Sequence, residues 1–217
     1  MSDTTYAVIS GEIAESKKIS HEHLGKIPDI IRAAISEVNR HTDADKQLEY
    51  EIIRMDEFLC LSKNAPSSLH AILMLASEFR FRSHTELDTR LELRLSIGIG
   101  PVELFQGQLR ESDGTAFRLA DEGLRTMKRN QRLMISTGNE YLDGELHVAC
   151  GFMDILIHDW SDEQAEALFL SLSGKNQMEI SEQLQISQPA VNRRLKAAHL
   201  DAIEKLLERY ATIFAPK

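Results

Sequence analysis

Cysteine is scarce in this chain: Cys60 and Cys150 are the whole supply. Two thiols cannot make a disulfide framework, nor by themselves the four-ligand cage of a structural zinc site. The pair suits a reducing compartment, and a cytoplasmic location is expected. Long apolar runs are missing as well. No uncharged stretch approaches the roughly 20 residues that cross a bilayer, so no membrane partner is expected. Met1-Ser2-Asp3-Thr4-Thr5 lacks the basic-then-apolar pattern of a signal segment. Positive charge is also short, with 25 Lys and Arg against 34 Asp and Glu and a formal net charge of −9. A chain this acidic has no general attraction for nucleic acid or anionic lipid; such binding needs a local patch. What the chain does have is 217 residues, 42% of them hydrophobic, enough for a sizeable core in one large or two small domains.

The pattern of apolar residues sets the organisation. Tyr6-Ala-Val-Ile-Ser10 is a short apolar run stopping at Gly11 and predicts a buried strand. Ile27, Ile30, Ile31, Ala34, Ile35 and Val38 recur at helical spacing, giving a helix over about 21–39 with Pro28 as a candidate start. Residues 50–54 and 58–61 are apolar runs separated by Met55-Asp56-Glu57, which is hairpin spacing. A mostly buried helix is expected over 67–81. Leu91, Leu93, Leu95, Ile97 and Ile99 alternate with Glu92, Arg94 and Ser96 and predict a strand ended by Gly98, Gly100 and Pro101. Helix 115–128, strand 133–136 and helix 142–157 follow. This order predicts an α+β fold, an antiparallel ferredoxin-like sheet with helices on one face. From Trp160 only helical patterns remain. A boundary is expected at His158-Asp159-Trp160, dividing the chain into 1–158 and an all-α segment 159–217.

In the second segment, Ser161 is a good helix cap with Asp162 and Glu163 in the first turn. Two short helices then meet at Gln185-Ile186-Ser187. The later one starts near Gln188 with Pro189 in its first turn. Val191 and Leu195 point inward, while Asn192, Arg193, Arg194 and Lys196 point outward. This is helix-turn-helix logic, and Ile186–Leu195 resembles recognition helices of bacterial regulators, including the sigma-factor and LuxR types. Gln188, Asn192, Arg193, Arg194 and Lys196 are the expected DNA contacts, since Arg and Lys meet phosphates and Arg, Asn and Gln can read base edges. The segment holds seven bases against nine acids, so a helical dimerisation or protein-contact module is the alternative. A homodimer suits either reading.

Three acids fall where strands are expected to end: Glu12 after the first, and Asp56 and Glu57 at the hairpin tip. If those strands are neighbours, the carboxylates converge at one sheet edge, where magnesium with a nucleotide's phosphates would find ligands. Solvated turn residues are the alternative. Cys60 and Cys150 lie in apolar runs and are expected to be packed thiols. Gly98-Ile-Gly100 is followed by no Lys-Ser/Thr and is not a phosphate loop.

Tyr6–Ile13, Asp56-Glu-Phe58, Leu93–Gly100 and Ser112–Ala120 together resemble blocks of the SatD family of bacterial proteins. That pattern is in turn similar to the palm-like fold of class III nucleotidyl cyclases and GGDEF proteins. The resemblance implies a nucleotidyl-cyclase-like first domain and a metal or nucleotide role for Glu12 and Asp56, with Glu57 as a third acid and Arg118 facing a phosphate. It also implies departures. Glu12 stands where Asp is usual, Met55 where a glycine would admit a nucleotide, and Glu122 where a transition-state Arg would sit. The reading from sequence is therefore a DNA-binding transcriptional regulator with a cyclase-like sensing or dimerising domain. The alternative is a metal-dependent nucleotide-binding or nucleotide-processing enzyme using Glu12 and Asp56.

Overall fold

The computed structural model describes residues 5–103 and 108–215. The residues at both termini that entered the sequence reading, Met1–Thr4 and Lys217, lie outside them. Strand β1 (Tyr6–Ile13) is followed by α1 (His21–Arg40), β2 (Leu48–Ile52), β3 (Glu57–Ser62) and α2 (Ala65–Leu87). Then come β4 (Leu93–Gly100), α3 (Thr115–Thr126), β5 (Leu133–Ser136) and α4 (Glu140–Asp159). Four more helices follow: α5 (Asp162–Leu172), α6 (Gln177–Leu184), α7 (Gln188–Ala197) and α8 (Leu200–Phe214).

The element order matches the sequence pattern, but the sheet differs from the expected one. Its strand order is β2-β3-β1-β4-β5, and β5 runs parallel to β4 while the other pairs are antiparallel. The sheet is mixed because α3 lies between β4 and β5 in sequence and carries the chain back to the same edge, as a parallel neighbour requires. Helices also cover both faces instead of one. Ala7, Ile9 and Ile13 of β1 join the large core with α1, α2 and α4. Val8 points the other way, into a small cluster with Leu61, Ala116 and Ala120 of the α3 side. This follows from the two-residue period of a strand.

Two local expectations are corrected. Gly11 does not end β1; the strand continues to Ile13, pairing with β4 along its whole length and with β3 from Ala7 to Glu12. A Cβ on Gly11 would lie 2.3 Å from the Phe58 ring, so the missing side chain makes room for that ring. Pro28 does not start α1 but lies inside it. The helix begins one turn and more earlier, where Ser20 caps His23 N–H at 3.2 Å.

α2 is buried nearly all round, including Leu69, Ile72, Leu73, Leu75 and Phe79. The apolar cluster around it continues into α5–α8 through Leu168, Ile180, Val191, Leu195, Ile203 and Tyr210. Tyr210 Oη lies 2.8 Å from Ser68 Oγ, and Trp160 Nε1–H donates to Ala198 O at 3.3 Å. Among the described residues, no helix is long and apolar enough to cross a membrane.

Candidate functional site

The alternation that buries Val8 on the α3 face also puts Ser10 and Glu12 there. In register, Glu12 lies opposite Glu57 on β3 and Arg94 on β4. Three charged side chains thus form a row across the three central strands. Arg94 forms an ion pair with Glu12, and its Nη2–H donates to Met127 O at 2.8 Å. Arg94 Nε is buried without a hydrogen-bond partner. Arg54 pairs with Glu57 at 3.2 Å. Asp56 sits in the hairpin turn, whose carbonyl accepts from Ile13 N–H at 3.0 Å and fastens the turn to the end of β1.

Two adjoining clefts flank this row and share Glu12, Glu57 and Arg94. One, of about 550 Å³, is bounded by Arg110, Asp121, Leu124 and Arg125, with Ser10 at its base. The other, of about 770 Å³, is bounded by Lys17, Lys18, Arg54, Asp56, Met127 and Arg129. Together seven bases and five acids line them, in a chain whose total charge is −9. The bases hold the acids: Lys18 reaches Glu15 at 2.7 Å and Arg129 joins it, and these hydrogen bonds pull the Glu15 carboxyl down to about 2.

The structure therefore brings Glu12, Asp56 and Glu57 to one place, as the sequence suggested, but not as a metal cage. Glu12 and Glu57 are each paired with a guanidinium. Among the described residues, no three His, Cys, Asp or Glu side chains are grouped as a metal would need. Hard cations want several unencumbered oxygens, and this set does not fit a resident one. Glu12 is also inside β1 instead of beyond its end, so its carboxylate rises from a sheet face. Arg118 stands apart from the three acids. It forks onto Asp113 at 3.1 and 2.9 Å on the exposed start of α3 and lines neither cleft.

Sequence reasoning missed the cations. Arg94 could have been found, since it occupies a polar position of the strictly alternating strand. Lys17, Lys18, Arg54, Arg110, Arg125 and Arg129 are spread along the chain, and only the fold assembles them. Cys60 and Cys150 are buried; burial pushes the Cys60 thiol up and the Cys150 thiol up to about 12, so both are packing groups.

No family model matches this chain, and no curated protein does. The SatD resemblance accordingly stays a resemblance of sequence blocks. Solved structures do show likeness. The guanylyl cyclase Cya2 is 14% identical over 65% of this chain and 77% of its own, with a TM-score of 0.46. The catalytic core of a rhodopsin-guanylyl cyclase with converted specificity, in complex with ATPalphaS, is 14% identical over 62% and 78%, with a TM-score of 0.46. The active GGEEF domain of a diguanylate cyclase from Vibrio cholerae is 17% identical over 61% and 83%, with a TM-score of 0.42. Similarity at this level is one of outline, cyclase-like, and transfers no residue roles.

These structures are nucleotide cyclase domains, and the expectation of a DNA-binding transcriptional regulator is corrected accordingly. The geometry of α7 explains why its sequence misled. Val191 and Leu195 point inward and Gln188, Arg193 and Lys196 outward, as any surface helix on this core would arrange them. Asn192 is half-buried, and Arg194 turns toward Glu166 of α5 at 3.4 Å. The cationic cluster serves in part to hold two helices together, in a segment with more acid than base.

Proposed function

We propose that the paired clefts over Glu12, Glu57 and Arg94 bind a nucleotide through its phosphates. The observation that carries the reading is the concentration of guanidinium and ammonium groups there against the sign of the whole chain. Arg is suited to this work because its planar fork meets two phosphate oxygens at once. Arg110 and Arg125 stand on one side of the row and Arg54, Lys17 and Lys18 on the other. Their surface ion pairs are weak enough to exchange for a phosphate. Glu12 holds Arg94 in place from the same sheet face, a positioning role in which the carboxylate needs no metal. Asp56 and Glu57 border the entrance and set which anions are admitted by repulsion.

The test is a thermal shift titration with ATP and GTP, run with EDTA and again with magnesium. A ligand that binds only the folded chain raises its apparent stability by mass action, about 2.7 kcal/mol at one hundred times Kd. Nucleotide is expected to raise the melting temperature in EDTA, and Arg110→Ala with Arg125→Ala to abolish the rise. No shift at millimolar nucleotide in either buffer overturns the reading. A shift that requires magnesium would restore a metal role to Glu12 and Asp56. Chromatography of the incubated nucleotide decides whether it is turned over or only held.

A further inference from the structure

Large apolar side chains exposed to water are few among the described residues, and most of them lie on one helix. Tyr141, Val148, Phe152 and Ile155 of α4 are 81%, 63%, 68% and 58% exposed. Their spacing of seven, four and three residues sets them on one side of α4, opposite Leu146, Cys150, Met153 and Ile157, which face the core. Gly144 and Gly151 border the stripe, and a Cβ at either would meet nothing within 4 Å. A helix with apolar stripes on both sides is one whose outer stripe is meant to be covered.

We propose that this stripe is covered by α4 of a second copy of the chain, antiparallel across a two-fold axis near Ala149–Cys150. An isologous contact requires a self-complementary surface, and α4 provides one. Around that centre Val148 of one copy meets Phe152 of the other, and Gly144 makes room for Ile155. Charge agrees. The first turns of α4 carry Glu140 and Glu145, while beside its last turns stand Lys128 and His158, which share a surface depression with Ile155. Antiparallel pairing brings Glu140 of each helix toward Lys128 and His158 of the other, with Asp159 of the same last turn opposing the attraction. Tyr141 and Phe152 are side chains of the kind that cover ~150–250 Å² each, and with the smaller Val148 and Ile155 added from both copies the stripe buries at most on the order of 1,000 Å², the lower bound of a specific interface. The contact is therefore a weak, concentration-dependent dimer, and it stands independently of the nucleotide clefts.

Sedimentation velocity of the full chain between about 1 and 100 μM tests it, a range that brackets a micromolar Kd. The wild type is expected to pass from monomer to dimer. Phe152→Glu and Val148→Arg, both at exposed positions, are expected to remain monomeric with unchanged circular dichroism. Glu140→Lys is expected to weaken the dimer at least tenfold, and adding Lys128→Glu to restore it. A wild type that stays monomeric overturns the proposal, as do stripe variants that dimerise like the wild type. A monomer that floats with phosphatidylcholine vesicles through Phe152 also overturns it and gives the stripe to a lipid surface.

Discussion

Arg80 is 2% exposed, and its environment shows how single residues hold this molecule. Nη1 donates to Glu92 at 3.0 Å and to Ile157 O at 3.1 Å, and Nη2 to His158 O at 3.3 Å. Those carbonyls lie in the last turn of α4, where no later N–H reaches them, so a buried guanidinium caps the helix from within. Burial raises the Glu92 pKa, but Arg132 and Arg80 more than offset this and hold it below its usual range. Arg80→Ala leaves those carbonyls without their guanidinium donor and Glu92 with fewer cations. We expect about 3–5 kcal/mol of lost stability by urea unfolding, the scale for breaking a buried pair. Because the Glu92 pKa is depressed, its share of the stability is present above about pH 4.3 and is lost as pH falls through the lower folded value. Asp154 behaves oppositely. Its Oδ1 accepts Arg132 N–H and Leu133 N–H at 2.7 and 2.9 Å, yet burial raises its pKa. Asp154→Asn keeps an acceptor there and removes the charge. Relative to wild type, its thermal stability is expected to improve as pH rises from 4 through the raised folded value, the ionised form being the one that burial penalises.

At the scale of elements, α3 and β4 touch backbone to backbone. A Cβ on Gly98 would lie 2.1 Å from Ala116 O and 2.6 Å from Ala120 N, neither of which can rotate away. Gly98→Ala must lift α3 off the sheet and is expected to cost about 3 kcal/mol, the upper end of ordinary overpacking. Gly25 is the contrast: it sits within α1 with nothing near its missing Cβ. Gly25→Ala is expected to raise stability by about 0.5–1 kcal/mol, the usual gain in a helix interior. Both changes read out as shifts in the urea midpoint. The same contact shows what was legible in the sequence. Leu93–Ile99 announced itself as a strand by strict alternation, and Ile27–Val38 as a helix by its spacing, because each pattern is set by burial on one known face. Gly98 looked like the end of the strand because its reason for being glycine lies in α3, distant in sequence. The parallel β5 and the opposite-face position of α3 were invisible for the same cause: three apolar residues at 133–135 specify a strand but not its neighbour. Glu12 and Glu57 were visible as acids near strand ends. Arg94 was legible as a polar position of its strand, but its pairing with Glu12 was not, since cross-strand register is settled only when β1 meets β4.

At the scale of the whole molecule, the change of pattern at Trp160 need not mark two units that fold apart. α2 buries 15 of its 23 residues, some against the sheet and α1, others against α5 and α8. Arg90 reaches from the segment between α2 and β4 to Asp162 of α5 at 3.1 and 3.0 Å, and Trp160 is sealed beneath Ala198. A chain ending at residue 158 would bare the α5 and α8 side of α2, an apolar surface with no other covering. We therefore expect residues 1–158 and 159–217 to unfold together. Trp160 is the chain's single tryptophan, placed at the junction, so its fluorescence reports the contact between the segments while far-ultraviolet circular dichroism reports all the helices. If the core is continuous, the two signals must trace one urea transition, and nucleotide bound over Arg94 must shift both to the same extent, since a ligand that stabilises one part of a cooperative unit stabilises all of it. Fluorescence that changes before the dichroism, or a nucleotide shift seen by only one probe, would show that the segments part before they melt.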